Sequence, residues 1–150
     1  MGDGDGLADA RRQREALLDA TSALEVALSA PAADPEWPDA VRGALVDVDV
    51  TIRAHIQEME GDDGLLARVR RENPRLANAV NRLVDQHLVM TQLTRKVVDR
   101  LDGAMARLDD DEVAGIREDA MSLLGAVVRY RQRGADLLYE AYQVDVGGPG

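Results

Sequence analysis

The chain contains two histidines, His55 and His87, and each falls on the apolar stripe of a predicted helix. Two further polar residues, Arg14 and Tyr130, interrupt the apolar stripes of the other two long helical patterns. Neutral imidazole is a common ligand for iron and zinc, and helical bundles hold such metals between facing helices. These four residues are therefore the candidates for a metal site or for a hydrogen-bonded polar layer.

The positions of the four residues along their helices predict that they meet at one height. Arg14 and His55 lie about four helical turns, or about 21 Å, before and after the connection between the first two helical patterns. His87 and Tyr130 stand in the same relation to the connection between the last two. We therefore expect a polar layer of Arg14, His55, His87 and Tyr130 across the core.

Four long segments have apolar residues at three- and four-residue steps, the period of amphipathic helices, and none alternates as a strand does. The predicted helices cover residues 7–29, 39–60 and 74–101, and the fourth ends near residue 142. Short connections favour antiparallel neighbours. The sequence thus predicts an all-α fold, an up-down-up-down antiparallel four-helix bundle. We expect this bundle to span 7–143, between a flexible N-terminal segment (1–6) and a flexible tail (144–150).

Composition excludes several classes of function. The formal net charge of -10 disfavours nucleic acid and anionic membranes as partners, because both present phosphates. The chain has no cysteine, which excludes disulfides, thiolate nucleophiles and iron–sulfur clusters. No apolar run approaches the roughly 20 residues of a membrane span, and the acidic N-terminus differs from a signal peptide. A cytoplasmic protein is predicted, and the single lysine among 18 basic residues suggests a high-GC bacterial genome.

Several short segments carry a resemblance to a known family. They are HIQEME at 55–60, GLL at 64–66, ENPRL at 72–76, DQH at 85–87 and RQRGADLLYEAY at 131–142. In their order and spacing they resemble the hemerythrin-like (HHE cation-binding) family. The resemblance implies a four-helix bundle with a di-iron centre that binds oxygen or related small molecules.

This chain keeps few of the ligands that the resemblance implies. The family has a glutamate four residues after the histidine of its second helix, where this chain has Met59 after His55. It has a second histidine four residues after the first on its third helix, where this chain has Thr91 after His87. The chain therefore departs from the di-iron pattern on both helices that retain a histidine.

The first and fourth helices depart further from the family's pattern. Tyr130 stands at the histidine position of the fourth helix, with Ala135 where a carboxylate is expected. The first helix has no histidine, and Arg14 occupies the matching height. A guanidinium cannot bind a cation, so we expect Arg14 to replace the charge of a metal. It would do so by pairing with Glu58 and hydrogen-bonding Tyr130 or a neutral histidine.

Three interpretations of the layer follow. The two histidines are hydrogen-bonded core residues, or His55, Glu58 and His87 hold a single iron or zinc ion together with water, or Tyr130 is an iron ligand or redox residue. The first interpretation leads to a bundle with a degenerate metal site and no cofactor. Such a bundle would be a non-catalytic binding or regulatory protein, with a protein or a small molecule as its partner.

The competing function is that of a reduced-site metalloprotein that contains iron or zinc and binds or senses oxygen, nitric oxide or peroxide. No nucleophile elbow, phosphate-binding loop or glycine-rich dinucleotide turn is found, so an enzyme is not favoured. A third hypothesis is a homodimer that forms through Val46 and Val50, or through Tyr139 and Tyr142.

Overall fold

The computed structural model describes residues 3–143, with side chains from residue 6 onward. It has five α-helices: α1 (Asp3–Ser29), α2 (Trp37–Glu60), α3 (Leu65–Glu72), α4 (Ala77–Ala104) and α5 (Asp110–Tyr142). A one-turn 3-10 helix, Pro74–Leu76, precedes α4. No strand occurs within residues 3–143, so the predicted all-α class is confirmed. Four long helices of this kind are compatible with a helical bundle.

The helix starts follow local sequence signals. Pro38 stands in the first turn of α2, where its missing N–H has no partner to lose. Asp109 caps α5 by accepting a hydrogen bond from the Glu112 N–H at 2.8 Å, and three acidic residues follow in the first turn. Acidic side chains at a helix N-terminus are stabilised by the helix dipole.

The first helix begins earlier than the sequence predicts. α1 starts at Asp3, so residues 3–6 of the segment expected to be flexible are helical. Residues 1–2 and the predicted tail at 144–150 lie outside the described residues.

A glycine is required in the turn between α2 and α3. A Cβ atom at Gly64 would lie 2.6 Å from the carbonyl oxygen of Met59 and 2.8 Å from that of Glu58. Both are backbone atoms that a side chain cannot push aside. Any other residue at this position would therefore displace the end of α2 or the start of α3.

The core is built from the facing stripes of the long helices. α1 packs on α2, α2 on α4 and α4 on α5, and each of these pairs packs more closely than α1 and α5 do. The short α3 buries Leu65, Leu66 and Val69 against the end of this arrangement. Within the described chain, no helix has the length and apolar character to cross a bilayer.

The residues of the dimer hypothesis differ in how far they are exposed. Val46, Val50 and Tyr139 are exposed. Tyr142 is half-buried, and its hydroxyl accepts a hydrogen bond from Arg68 Nε at 3.3 Å. Tyr142 is thus committed to α3 within the same chain, and the apolar residues on the surface are spread over different helices. Homodimer formation stays a prediction.

Candidate functional site

Three aromatic rings from three different helices meet in the core. His55 of α2, His87 of α4 and Tyr130 of α5 are each 5% exposed or less. Their ring centroids lie 5.1 to 5.8 Å apart. The structure therefore brings together three of the four residues of the predicted layer. The fourth, Arg14, is half-buried on α1 and lines a cavity beside His55 and Tyr130.

The hydroxyl of Tyr130 joins the two imidazoles. Its oxygen is hydrogen-bonded to His55 Nε2 and lies 2.8 Å from His87 Nε2. The other nitrogen of His87, Nδ1, lies 2.8 Å from Glu60 Oε2. Glu60 is the last residue of α2, and its side chain is one-third exposed. The chain of contacts therefore runs from the protein surface to the middle of the core.

All three rings are held in their neutral forms. Burial, with a smaller contribution from the neighbouring His87, lowers the pKa of His55 to about 4. Burial also lowers the pKa of His87, although the hydrogen bond and the charge of Glu60 oppose this shift. Burial raises the pKa of the Tyr130 phenol. Near neutral pH, two uncharged imidazoles and an uncharged phenol share the layer.

Neutral rings give the hydrogen-bond chain a single direction. A carboxylate only accepts, so His87 Nδ1–H donates to Glu60, and His87 Nε2 accepts the Tyr130 O–H. The Tyr130 oxygen then accepts from His55 Nε2–H. His55 Nδ1 is left as a lone-pair acceptor, and this nitrogen is buried with no hydrogen-bond partner. The hydrogen-bond chain therefore ends at His55 Nδ1, an acceptor that receives no hydrogen bond.

A cavity of about 40 Å³ lies beside this unsatisfied end. Residues of α1, α2 and α5 line it: Ala10, Arg14, Leu17, His55, Met59, Tyr130, Arg131, Gly134, Ala135 and Leu138. Buried sites that hold one water molecule need roughly 10–15 Å³, so there is room for a few non-hydrogen atoms. The cavity exists because α1 packs only loosely on α5.

Arg131 is a site residue that the sequence analysis missed. It is 9% exposed, and its Nε is buried with no hydrogen-bond partner. Burial lowers the pKa of its guanidinium, and the charge of Arg14 lowers it further, so two cationic groups act on each other across the cavity. One signal pointed to it: Arg131 follows Val127 by four residues and so continues a buried row of α5.

Glu58 does not reach the histidines. Its side chain is exposed, and the carboxylate at the layer is Glu60, which contacts His87 rather than His55. The predicted trio of His55, Glu58 and His87 is therefore not assembled. Within the described side chains, no three His, Cys, Asp or Glu residues are placed to hold a metal ion.

The residues present do not fit the di-iron centre that the resemblance implies. Both imidazole Nε2 atoms are directed at the Tyr130 hydroxyl, which takes the point where a shared metal ion would need to sit. Two guanidinium groups line the adjoining cavity, and positive charge there would repel a second cation.

Comparison with known proteins adds no relative: no family model, curated protein or solved structure matches the chain. The resemblance to the hemerythrin-like family therefore rests on the sequence segments quoted above.

Proposed function

We propose that this protein is a non-catalytic binding protein that holds a small molecule in the cavity between α1, α2 and α5, without a metal. The observation that carries the proposal is the pair of buried atoms on the cavity's residues that lack a partner within the chain. They are His55 Nδ1, an acceptor, and Arg131 Nε, a donor.

Unpaired polar atoms of this kind are costly to the fold. Each buried donor or acceptor without a partner costs about 1–3 kcal/mol, so native cores rarely keep such atoms. A ligand that satisfies both recovers that cost on binding. The remaining walls include Leu17, Met59 and Leu138, and ligand sites typically combine apolar walls with a few polar groups.

Within the same proposal, the fold is an up-down-up-down antiparallel bundle of the hemerythrin-like kind, in a cytoplasmic protein. Two contacts between helix ends support the antiparallel order. Arg42, near the start of α2, contacts Asp102, near the end of α4, at 2.8 Å. Arg117, near the start of α5, donates to the carbonyl oxygen of Leu28, near the end of α1, at 3.2 Å.

Substitution of Gly134 tests the cavity directly. Gly134 lines it, and a Cβ atom added there meets nothing within 4 Å. Gly134→Ala is expected to raise the free energy of unfolding by about 0.5–1 kcal/mol, because alanine is the better helix former. Gly43→Ala in α2 is the matched control, since a Cβ there also meets nothing and Gly43 lies outside the cavity.

Ligand binding should distinguish Gly134 from Gly43, although substitution by alanine is expected to stabilise the protein at both positions. In a screen of small molecules by two-dimensional NMR, hits are expected to shift the amide signals of cavity residues in the native protein and in Gly43→Ala. Gly134→Leu should fill the cavity and abolish these shifts. The proposed function is overturned if no compound shifts cavity amides, or if the shifts persist in Gly134→Leu.

Metal content tests the competing function. Protein grown with added iron and zinc and purified without a tag is expected to contain either metal well below one ion per chain, because Tyr130 occupies the meeting point of the imidazoles. Elemental analysis measures this directly. Near-stoichiometric metal that is lost in His55→Ala and His87→Ala would favour the reduced-site metalloprotein instead.

A further inference from the structure

The Tyr130 hydroxyl is shared by two imidazoles. Its oxygen is hydrogen-bonded to Nε2 of His55 and to Nε2 of His87, whose ring centroids lie 5.8 Å apart. A hydroxyl has a single hydrogen, so it donates to one of these nitrogens and must accept from the other. If both nitrogens carried a hydrogen, the Tyr130 O–H would be left without an acceptor in the core, which is costly. The state of one Nε2 therefore sets the state of the other.

Of the two histidines, His87 is the one beside a carboxylate. Its Nδ1 lies 2.8 Å from Glu60 Oε2, and the Glu60 side chain is one-third exposed. His55 is buried more deeply in the layer, and its Nδ1 has no hydrogen-bond partner. A carboxylate stabilises a neighbouring imidazolium, whereas burial destabilises one. A proton taken up by the layer therefore resides on the outer pair, which is formed by Glu60 and His87.

A proton on the outer pair reverses the direction of the hydrogen bonds. His87 then has a hydrogen on Nε2, which donates to the Tyr130 oxygen. The Tyr130 O–H turns to His55 Nε2, which accepts it only if the hydrogen of His55 is on Nδ1. The result is the same whether the added proton makes His87 an imidazolium or stays on Glu60, because Nε2 of His87 carries a hydrogen in both cases.

We infer that the layer is a pH-sensitive tautomer switch, in which protonation of the outer pair converts His55 Nδ1 from a hydrogen-bond acceptor into a donor. The N–H bond at His55 Nε2 breaks, and N–H bonds form at His55 Nδ1 and His87 Nε2. One proton comes from the solvent, Tyr130 keeps its hydrogen, and His55 stays neutral. The switch needs no ligand in the cavity, so it goes beyond the proposed function.

The ordinary titration of the two rings supports this order of events. Burial lowers the pKa of His55 to about 4, so this ring stays neutral through most of the acid range. Burial also lowers the pKa of His87, but the hydrogen bond and the charge of Glu60 oppose that shift. As the pH falls, the proton is therefore taken up at His87 before His55.

The charged and titratable groups that face the two rings come from several helices. Glu60 lies on the same helix as His55 and contacts His87. The arginines of α3 that contact other helices have partners elsewhere, because Arg68 donates to Tyr142 and Arg70 to Asn81. The groups of α1 and α5 beside His55 are Arg14, Tyr130 and Arg131. Glu60 is thus the carboxylate through which pH acts on the layer.

Nitrogen-15 NMR of the imidazole rings observes the switch directly, because a nitrogen with a lone pair and one with a hydrogen have well-separated chemical shifts. The full chain, freed of metal by a chelator, is titrated from pH 8 towards pH 4. At high pH we expect lone pairs on His55 Nδ1 and His87 Nε2. As His87 Nε2 gains its hydrogen, the lone pair of His55 should move from Nδ1 to Nε2, with the same midpoint.

Variants test the two ends of the coupling. Glu60→Gln removes the charge beside His87 and is expected to move the change at both rings to lower pH together. Glu58→Gln, at an exposed position on the same helix, should leave both midpoints unchanged. Tyr130→Phe removes the shared hydroxyl, so the tautomer of His55 should no longer follow His87. Glu60→Gln keeps the test valid if Tyr130→Phe does not fold.

Four results would overturn the switch. In the first, His55 keeps its lone pair on Nδ1 while His87 Nε2 gains a hydrogen. In the second, both rings become doubly protonated together. In the third, the rings of Tyr130→Phe still change together. In the fourth, His87 Nε2 gains no hydrogen before the protein unfolds. None of these results depends on whether a small molecule binds in the cavity, so the switch and the proposed function stand or fall separately.

Discussion

Tyr130→Phe is expected to lower the free energy of unfolding by about 2–6 kcal/mol. The substitution removes one oxygen and leaves ring packing intact. It leaves His55 Nε2 and His87 Nε2 buried in the core without the hydroxyl that both of them bind. Each such group costs about 1–3 kcal/mol. Urea unfolding followed by circular dichroism measures the change.

The matched control removes the same oxygen from the surface. Tyr139 lies on the same helix and is 54% exposed, so Tyr139→Phe should change stability by less than about 0.5 kcal/mol. Equal losses in the two variants would refute the role of the buried hydroxyl. Replacing His55 and His87 by Leu in the Tyr130→Phe background should recover part of the loss, because an apolar layer leaves no polar atom unpaired.

A second large effect is expected from pH. The pKa of His55 is about 4 in the folded protein and 6.5 when unperturbed, so the unfolded chain binds this proton more readily. Stability from neutral His55 is fully present above pH 6.5 and is lost as pH falls towards 4. A shift of this size corresponds to a loss on the order of 3 kcal/mol. The lowered pKa of His87 acts in the same direction.

His55→Gln isolates this contribution. Many carboxylates titrate in the same acid range, but they do so equally in the native protein and in the variant. The difference between their unfolding free energies, measured by urea titration at steps from pH 8 to 4, should therefore fall between pH 6.5 and 4. A difference that stays constant across this range would contradict neutral burial of His55.

The sequence predicted which stripe positions meet but not which neighbouring helix each flanking residue faces. Heptad-like spacing was enough to bring His55, His87 and Tyr130 to one layer. Glu58 and Glu60 flank Met59, so each lies about 100° from the stripe on opposite sides of α2. Spacing cannot say which side faces α4, because that depends on how the helices are arranged around each other. The structure shows that Glu60 lies on that side.

Arg131 escaped prediction for a related reason. A charged residue beside a stripe normally extends its end to solvent along the helix surface. Here α1 packs only loosely on α5, and Arg131 lines the cavity between them. How closely two helices approach depends on the packing of all the others, which a single helix pattern does not contain.

The three hydrogen-bonded rings join α2, α4 and α5 and leave α1 out. α1 contributes Ala10, Arg14 and Leu17 to the wall of the cavity, whereas the hydrogen bonds of the Tyr130 hydroxyl join α2, α4 and α5. Native proteins open in cooperative units whose cost follows the contacts that each unit breaks. A partial detachment of α1 would expose the cavity while the layer stays closed. Entry and exit of a ligand would then be governed by the exchange kinetics of one helix, independently of the global stability of the fold.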